Sequence, residues 1–367
     1  MVHFLTKTIS PNQKKEKFFN RRIKHIITII KNYENLDWNS SKKYYFELLK
    51  KEICNFYNYS VNLANRFFEI IPFDEILEFF KYNHRPRPLT IRFNDIKIKN
   101  IQIKEIMEKK GIKLFLDKNF SNFAAIINKK GFNFGGSPEY LAGYYTLQGF
   151  SSFFPIFALN PKKKEKILDL AAAPGGKSSY ISQLMNNSGI LVANDKNKSR
   201  LKSLVSNIHR LGIENIIITN FDGSVFQNKM TGFDKVLIDA PCTGTGIIGH
   251  DNRIKLQKID SAVLINSTLQ KRLLLAAIDS CKDNENQKNC IVYSTCSILI
   301  EENEMIIQYA IEKRKIKILP TGLKFGLPGF LNYKRKNFHK SMINCRRFYP
   351  HVHNVDGFFI CKIEKLK

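Results

Sequence analysis

Apolar positions recur at helical spacing from about Phe18 to Tyr82, as in Ile23, Ile26, Ile27 and Ile30 and again in Tyr45, Leu48, Leu49 and Ile53. This pattern predicts an N-terminal helical bundle over residues 1–83, with Phe67, Phe68, Phe73, Phe79 and Phe80 as core. At residues 84–88, HRPRP, two prolines remove backbone donors and restrain their predecessors, so a boundary falls there. Beyond it the pattern is shorter. Leu89–Phe93 reads as a strand, Ile101–Lys109 as a helix ending at Gly111, and Ile112–Leu116 and Phe123–Ile127 as strands, a small α+β module. Residues 131–160 read as a Gly-punctuated linker leading into an apolar helix, which closes a second unit over residues 84–150.

From Lys166 short apolar runs (Ile167–Leu170, Ile190–Ala193, Ile216–Thr219, Lys235–Ile238, Cys290–Tyr293) alternate with amphipathic helices. Alternation of this kind predicts an α/β fold with a parallel, doubly wound, Rossmann-like sheet over residues 151–367. Residues 282–289, KDNENQKN, read as a surface loop. No apolar stretch is long enough to span a membrane.

The charge changes the picture. Lys and Arg number 59 against 32 Asp and Glu, a net +27, of which +12 falls in residues 1–150 and +15 in the remainder. The excess is a property of the whole surface, and its natural partner is a polyanion, a nucleic acid first and an anionic membrane face second. Seven cysteines without a CxxC pair point away from a disulfide framework or a zinc ribbon. The first residues are basic enough to suit a mitochondrial transit peptide weakly.

In an open α/β sheet the ligand sits beyond the carboxyl ends of the strands. There the first strand runs into Ala171, Ala172, Ala173, Pro174, Gly175, Gly176 and Lys177, where small residues before a helix start let backbone approach a ligand closely. The second strand ends at Asp195, placed either to take ribose hydroxyls or to cap the following helix, and the third is followed by Asp222, which could accept from an adenine amino group but stands in an Asp-Gly pair that by itself more often marks a turn. The fourth ends in Asp239-Ala240-Pro241-Cys242 and the fifth in Ser294-Thr295-Cys296-Ser297. In the common doubly wound order strands four and five neighbour strand one, so Cys242, Cys296 and the 171–177 loop should converge.

The runs AAAPGGK, DAPCTGTG and STCS, in this order and spacing, resemble the Nop/Sun family of RNA cytosine-C5 methyltransferases. GGSPEYLAGYYTLQ, NIHRLG, EENE and RRFYPHVHNVDGFF resemble its nucleolar protein 2 branch. The resemblance implies a Rossmann-like methyltransferase domain behind an RRM-like module and S-adenosylmethionine as cofactor. The implied reaction is methylation of C5 of a cytosine in large-subunit ribosomal RNA during ribosome biogenesis, in a nucleolus and by a monomeric catalytic unit. It also implies Cys296 as the nucleophile at C6, Cys242 as the group assisting release, Asp239 on the cytosine N3/N4 edge and Lys177 holding Asp239. The cofactor would rest on 171–177, Asp195, Asp222 and Asp239. Ser294 and Thr243 stand where this branch often has cysteine and serine. Alternatives are a ribosome-assembly factor whose catalysis is dispensable, and C5 methylation of another RNA such as tRNA; the Thr-Cys-Ser after strand five disfavours a DNA enzyme. For RNA contact the expectation falls on Arg87, Arg346 and Arg347, which aromatics flank. His351 and His353 alternate on an expected strand, with no third ligand for a metal.

Overall fold

The computed structural model describes residues 13–35, 40–115, 123–128, 131–283 and 289–367. The extreme N-terminal stretch, the end of the strand expected at Leu116 and most of the expected 282–289 loop lie outside them. Four helices lead: α1 (Gln13–Lys31), α2 (Lys42–Tyr57), α3 (Val61–Ile70) and α4 (Ile76–Asn83). Ser41 and Ser60 cap α2 and α3 by accepting from backbone amides in their first turns. Of the apolar stripe predicted from spacing, Ile23, Leu49, Ile53, Phe67, Phe79 and Phe80 are fully buried, whereas Ile27, Tyr45, Leu48, Phe68 and Phe73 are half-buried and pack against that core.

After HRPRP come β1 (Thr90–Phe93), α5 (Asn100–Lys109), β2 (Lys113–Phe115), β3 (Ala124–Asn128), α6 (Pro138–Leu141) and β4 (Tyr145–Leu147). The four strands form an antiparallel sheet in the order β2-β3-β1-β4. The supposed linker therefore contributes a fourth strand, three residues long and too short to show alternation.

A short helix α7 (Phe154–Leu159) opens the large domain. It continues with β5 (Lys166–Asp169), α8 (Gly176–Met185), β6 (Ile190–Asn194), α9 (Lys198–Leu211), β7 (Ile216–Thr219), β8 (Lys235–Asp239), α10 (Ile259–Ser280), β9 (Cys290–Thr295) and α11 (Glu304–Lys313). Its last segment holds β10 (Ile316–Leu319), β11 (Leu327–Pro328), the hairpin β12 (Asn332–Tyr333) and β13 (Lys336–Asn337), β14 (Arg346–Phe348), α12 (Pro350–His353) and β15 (Phe358–Lys365). The sheet order is β11-β14-β15-β9-β8-β5-β6-β7, with β10 on the far half of β15. Strands β5 to β9 are parallel, as alternation predicts. The wing beyond β9 is antiparallel, so the sheet is mixed, not wholly parallel. β8 lies directly beside β5, and β9 lies one strand further out. His351 and His353 sit on α12 and not on a strand, because Pro350 starts a helical turn there.

The small module is fastened to the large domain by buried polar contacts. Arg92 of β1, 1% exposed, donates to the Gly176 carbonyl, Gln148 Oε1 and Ser179 Oγ, each at 2.7 Å. At Gly143, with φ +79°, a Cβ would lie 1.9 Å from the Arg210 carbonyl, so only glycine permits this approach of the module to the end of α9.

Candidate active site

The carboxyl ends of β5, β6, β8 and β9 meet at one rim. Gly175, with φ +99°, caps α8, and a Cβ there would stand 2.6 Å from Leu204 Cδ1, so the AAAPGGK turn depends on glycine at this position. Lys177, in the first turn of α8, reaches Asp239 at the end of β8 (Nζ–Oδ2 2.6 Å). Ser294 Oγ donates to the other oxygen of Asp239 at 3.0 Å. Burial alone would lower the Lys177 ammonium, but Asp239, with smaller help from Asp169 and Cys296, carries it above its ordinary value.

Cys242 and Cys296 project from the loops after the neighbouring strands β8 and β9, with Sγ atoms 3.2 Å apart. Both are partly exposed and neither is in a disulfide. Contact with Cys296, and then burial, push the Cys242 thiol well above its ordinary range, so it holds its proton at neutral pH.

Both loops are braced from behind by the EENE run. Glu302, fully buried, accepts from the Thr243 amide at 2.9 Å and Thr243 Oγ1 at 2.6 Å, and Asn303 accepts from Thr295 Oγ1 at 2.6 Å. The Gly246 amide donates to the Cys296 carbonyl and the Gly357 amide to the Gly246 carbonyl, at 2.8 and 2.9 Å. The motif is visible in the sequence, but its role as a brace needs the fold. Asp169 carries no signal in the sequence, where it reads as an interior position of an apolar strand. It ends β5, is 1% exposed, accepts from Ser178 Oγ at 2.6 Å through one oxygen, and its other oxygen is without a hydrogen bond. Burial raises its pKa to about 7.

Asp195 is buried and accepts from the Ala173 and Asn197 amides at 3.2 and 2.9 Å. Asp222 accepts from Ser224 and pairs with Lys196 at 2.7 Å, and these bonds lower its pKa to about 2. Asp195, bonded to the Ala173 amide, sets a carboxylate against the small-residue turn, an acceptor suited to ribose hydroxyls and to a ligand that carries positive charge.

The arginines expected on RNA behave differently. Arg347 is buried, at 1% exposure, and grips both oxygens of Glu304 at 2.6 and 2.5 Å, with the Ile298 carbonyl and Tyr349 hydroxyl as further acceptors. It is a core brace, which overturns its reading as an RNA contact: flanking aromatics here mark a buried site. Arg87 spends its guanidinium on Asn354 Oδ1 and on the carbonyls of Tyr82, Arg85 and Pro350. Arg346 is half-buried and donates to the Ile343 and Cys345 carbonyls.

Residues 156–364 match the family described as 16S rRNA methyltransferase RsmB/F. The chain belongs to that family. Its members are S-adenosylmethionine-dependent methyltransferases, and the carboxylate-lined turn fits that cationic cofactor. The chain is 44% identical over 348 residues to the 25S rRNA (cytosine-C(5))-methyltransferase nop2 of Schizosaccharomyces pombe, covering 94% of this chain and 57% of that protein. It is 32% identical over 294 residues to a tRNA (cytosine(49)-C(5))-methyltransferase of Pyrococcus abyssi, covering 80% and 93%. A crystal structure of a methyltransferase homologue from Pyrococcus horikoshii superposes with a TM-score of 0.76 at 33% identity, covering 86% of this chain and 99% of that one. The chain spans about half the length of the eukaryotic relatives it matches.

Proposed function

We propose that this RsmB/F-family protein methylates C5 of a cytosine in large-subunit ribosomal RNA through a covalent intermediate on Cys296. The observation that carries the reading is the pair of thiols 3.2 Å apart beside the Lys177–Asp239 pair. Cytosine C5 is a poor nucleophile. A Cys296 thiolate bonding to C6 pushes the ring electrons toward C5 and N3; Asp239 accepts from N4–H at the N3/N4 edge, and a proton passed through it from the Lys177 ammonium to N3 neutralises the developing negative charge and returns when the ring regains its aromaticity. Bound S-adenosylmethionine supplies the electrophilic methyl group, held by the 171–177 turn with Asp195 and Asp222. The C5 proton then passes to the solvent, the C6–S bond breaks and its electron pair returns to Cys296. Cys242, kept neutral, is suited to assist that release by giving and regaining a proton. Lys177 holds Asp239 in register.

Identity above 40% to large-subunit enzymes favours ribosomal RNA during ribosome biogenesis, in a nucleolus, and the Pyrococcus relative makes tRNA the competing substrate. The βαββαβ order of residues 90–147 supports an RRM-like, RNA-binding module, and a monomeric catalytic unit carries all the groups named. Bisulfite mapping of ribosomal and transfer RNA after depletion tests the assignment. Loss of one large-subunit cytosine mark is expected, and loss confined to tRNA would replace the substrate while leaving the chemistry.

A further inference from the structure

A cavity of about 620 Å³ opens where the small module meets the C-terminal wing, well within the range of ligand pockets. It is separate from the cofactor turn. Along the sheet edge the order β7-β6-β5-β8-β9-β15 sets the turn over β5 and β6, the thiols over β8 and β9, and this cavity beside the residues that enter β15. Val355 and Asp356 line it, and the next residue, Gly357, is bonded through Gly246 to the Cys296 carbonyl. The cavity therefore lies on the β15 side of the thiol loops, away from the 171–177 turn.

Phe123, Phe150, Phe157 and Phe325 contribute aromatic faces to its walls. Aromatic faces stack on any nucleobase, since every base has a π surface. Lys324, exposed, stands among the lining residues where a backbone phosphate would lie, and Asp356, which pairs with His250 at 3.0 Å, offers an acceptor for a base edge. We propose that this cavity receives the base of a nucleotide flanking the target cytosine, drawn out of a single-stranded RNA. The proposal rests on the RNA-substrate reading above. A positive lining cation on a protein of net +27, beside aromatic walls, complements an unstacked nucleotide better than it does a peptide.

The test uses the full chain and a fluorescein-labelled heptamer of uridines with one central cytidine, plus versions abasic at either neighbour of that cytidine. One of the two abasic versions should bind the native protein about tenfold more weakly, the loss of one stacked base. Leu323→Trp, which fills the cavity, should bind the intact heptamer about tenfold more weakly and then discriminate less than twofold between intact and abasic RNA. Lys324→Ala, on the surface and safe for folding, should weaken binding about threefold and lower the slope of log affinity against log salt by about 0.7. Native-like binding by both variants, the result expected if a protein segment occupies the cavity, would overturn the proposal. So would equal sensitivity of Leu323→Trp and native protein to the abasic neighbour. If abasic sensitivity and its loss in Leu323→Trp are seen but no RNA is methylated, the enzymatic reading fails and the pocket stands.

Discussion

A carboxyl group sealed at the end of a strand must be paired or neutral, and Asp169 has one hydrogen-bond donor for two oxygens. Its folded pKa of about 7 exceeds the unfolded value of about 3.9, so the native state keeps a proton that the unfolded chain has lost between those limits. Stability from this residue is thus fully present below about pH 4 and is lost as pH rises through about 7, on the order of 4 kcal/mol. Asp169→Asn, neutral throughout and still able to accept from Ser178, should flatten the fall in Tm between pH 5 and pH 8. Parallel Tm profiles for the two proteins would show that the carboxylate is not held neutral. At this scale the sequence was most legible for the cysteines and the glycine turn, since short motifs at strand ends fix both residue and place. It was least legible for Asp169 and Arg347, whose meaning depends on partners far along the chain.

Elements β8, β9, β14 and α11 are joined by one polar brace behind the thiols. Arg347 of β14 and Glu304 of α11 form its buried ion pair. Removing one partner of such a pair strands the other charge in the core, so Arg347→Ala should lower unfolding free energy by about 3–5 kcal/mol. Denaturant titration reads this as a lower midpoint, and an unchanged midpoint would mean the pair contributes nothing. Gly246→Ala acts more locally: its Cβ would fall 2.0 Å from the Gly357 carbonyl and 2.7 Å from that of Cys296. The thiol loops must shift to admit it, so methyl transfer should drop by at least tenfold in kcat while RNA affinity holds. Periodicity and alternation predicted β5 to β9 because buried parallel strands carry continuous apolar runs. The antiparallel wing and β4 were missed because two- and three-residue strands hold too few positions for a period.

For the molecule as a whole, fastening and charge matter most. Arg92 joins the small module to the start of α8, at the end of the 171–177 turn. Arg92→Ala should therefore both loosen the module and raise the KM for the methyl donor, whereas a change in stability alone would assign it a purely structural role. With a net charge of +27, RNA binding should be dominated by phosphate contacts. For about five contacts, affinity should fall about 100-fold between 50 and 200 mM salt, and a nearly flat dependence would shift the weight to base stacking. The sign of this field was readable from composition, but which arginines face solvent was not, because Arg87 and Arg347 are consumed by the fold.

The most direct measurement is a denaturing gel of Cys242→Ala incubated with substrate RNA and S-adenosylmethionine. A protein–RNA band that survives denaturation should accumulate, and it should vanish when Cys296→Ala is added to the same chain. A band that persists without Cys296, or full turnover by Cys296→Ala alone, would contradict the division of labour between the two sulfurs.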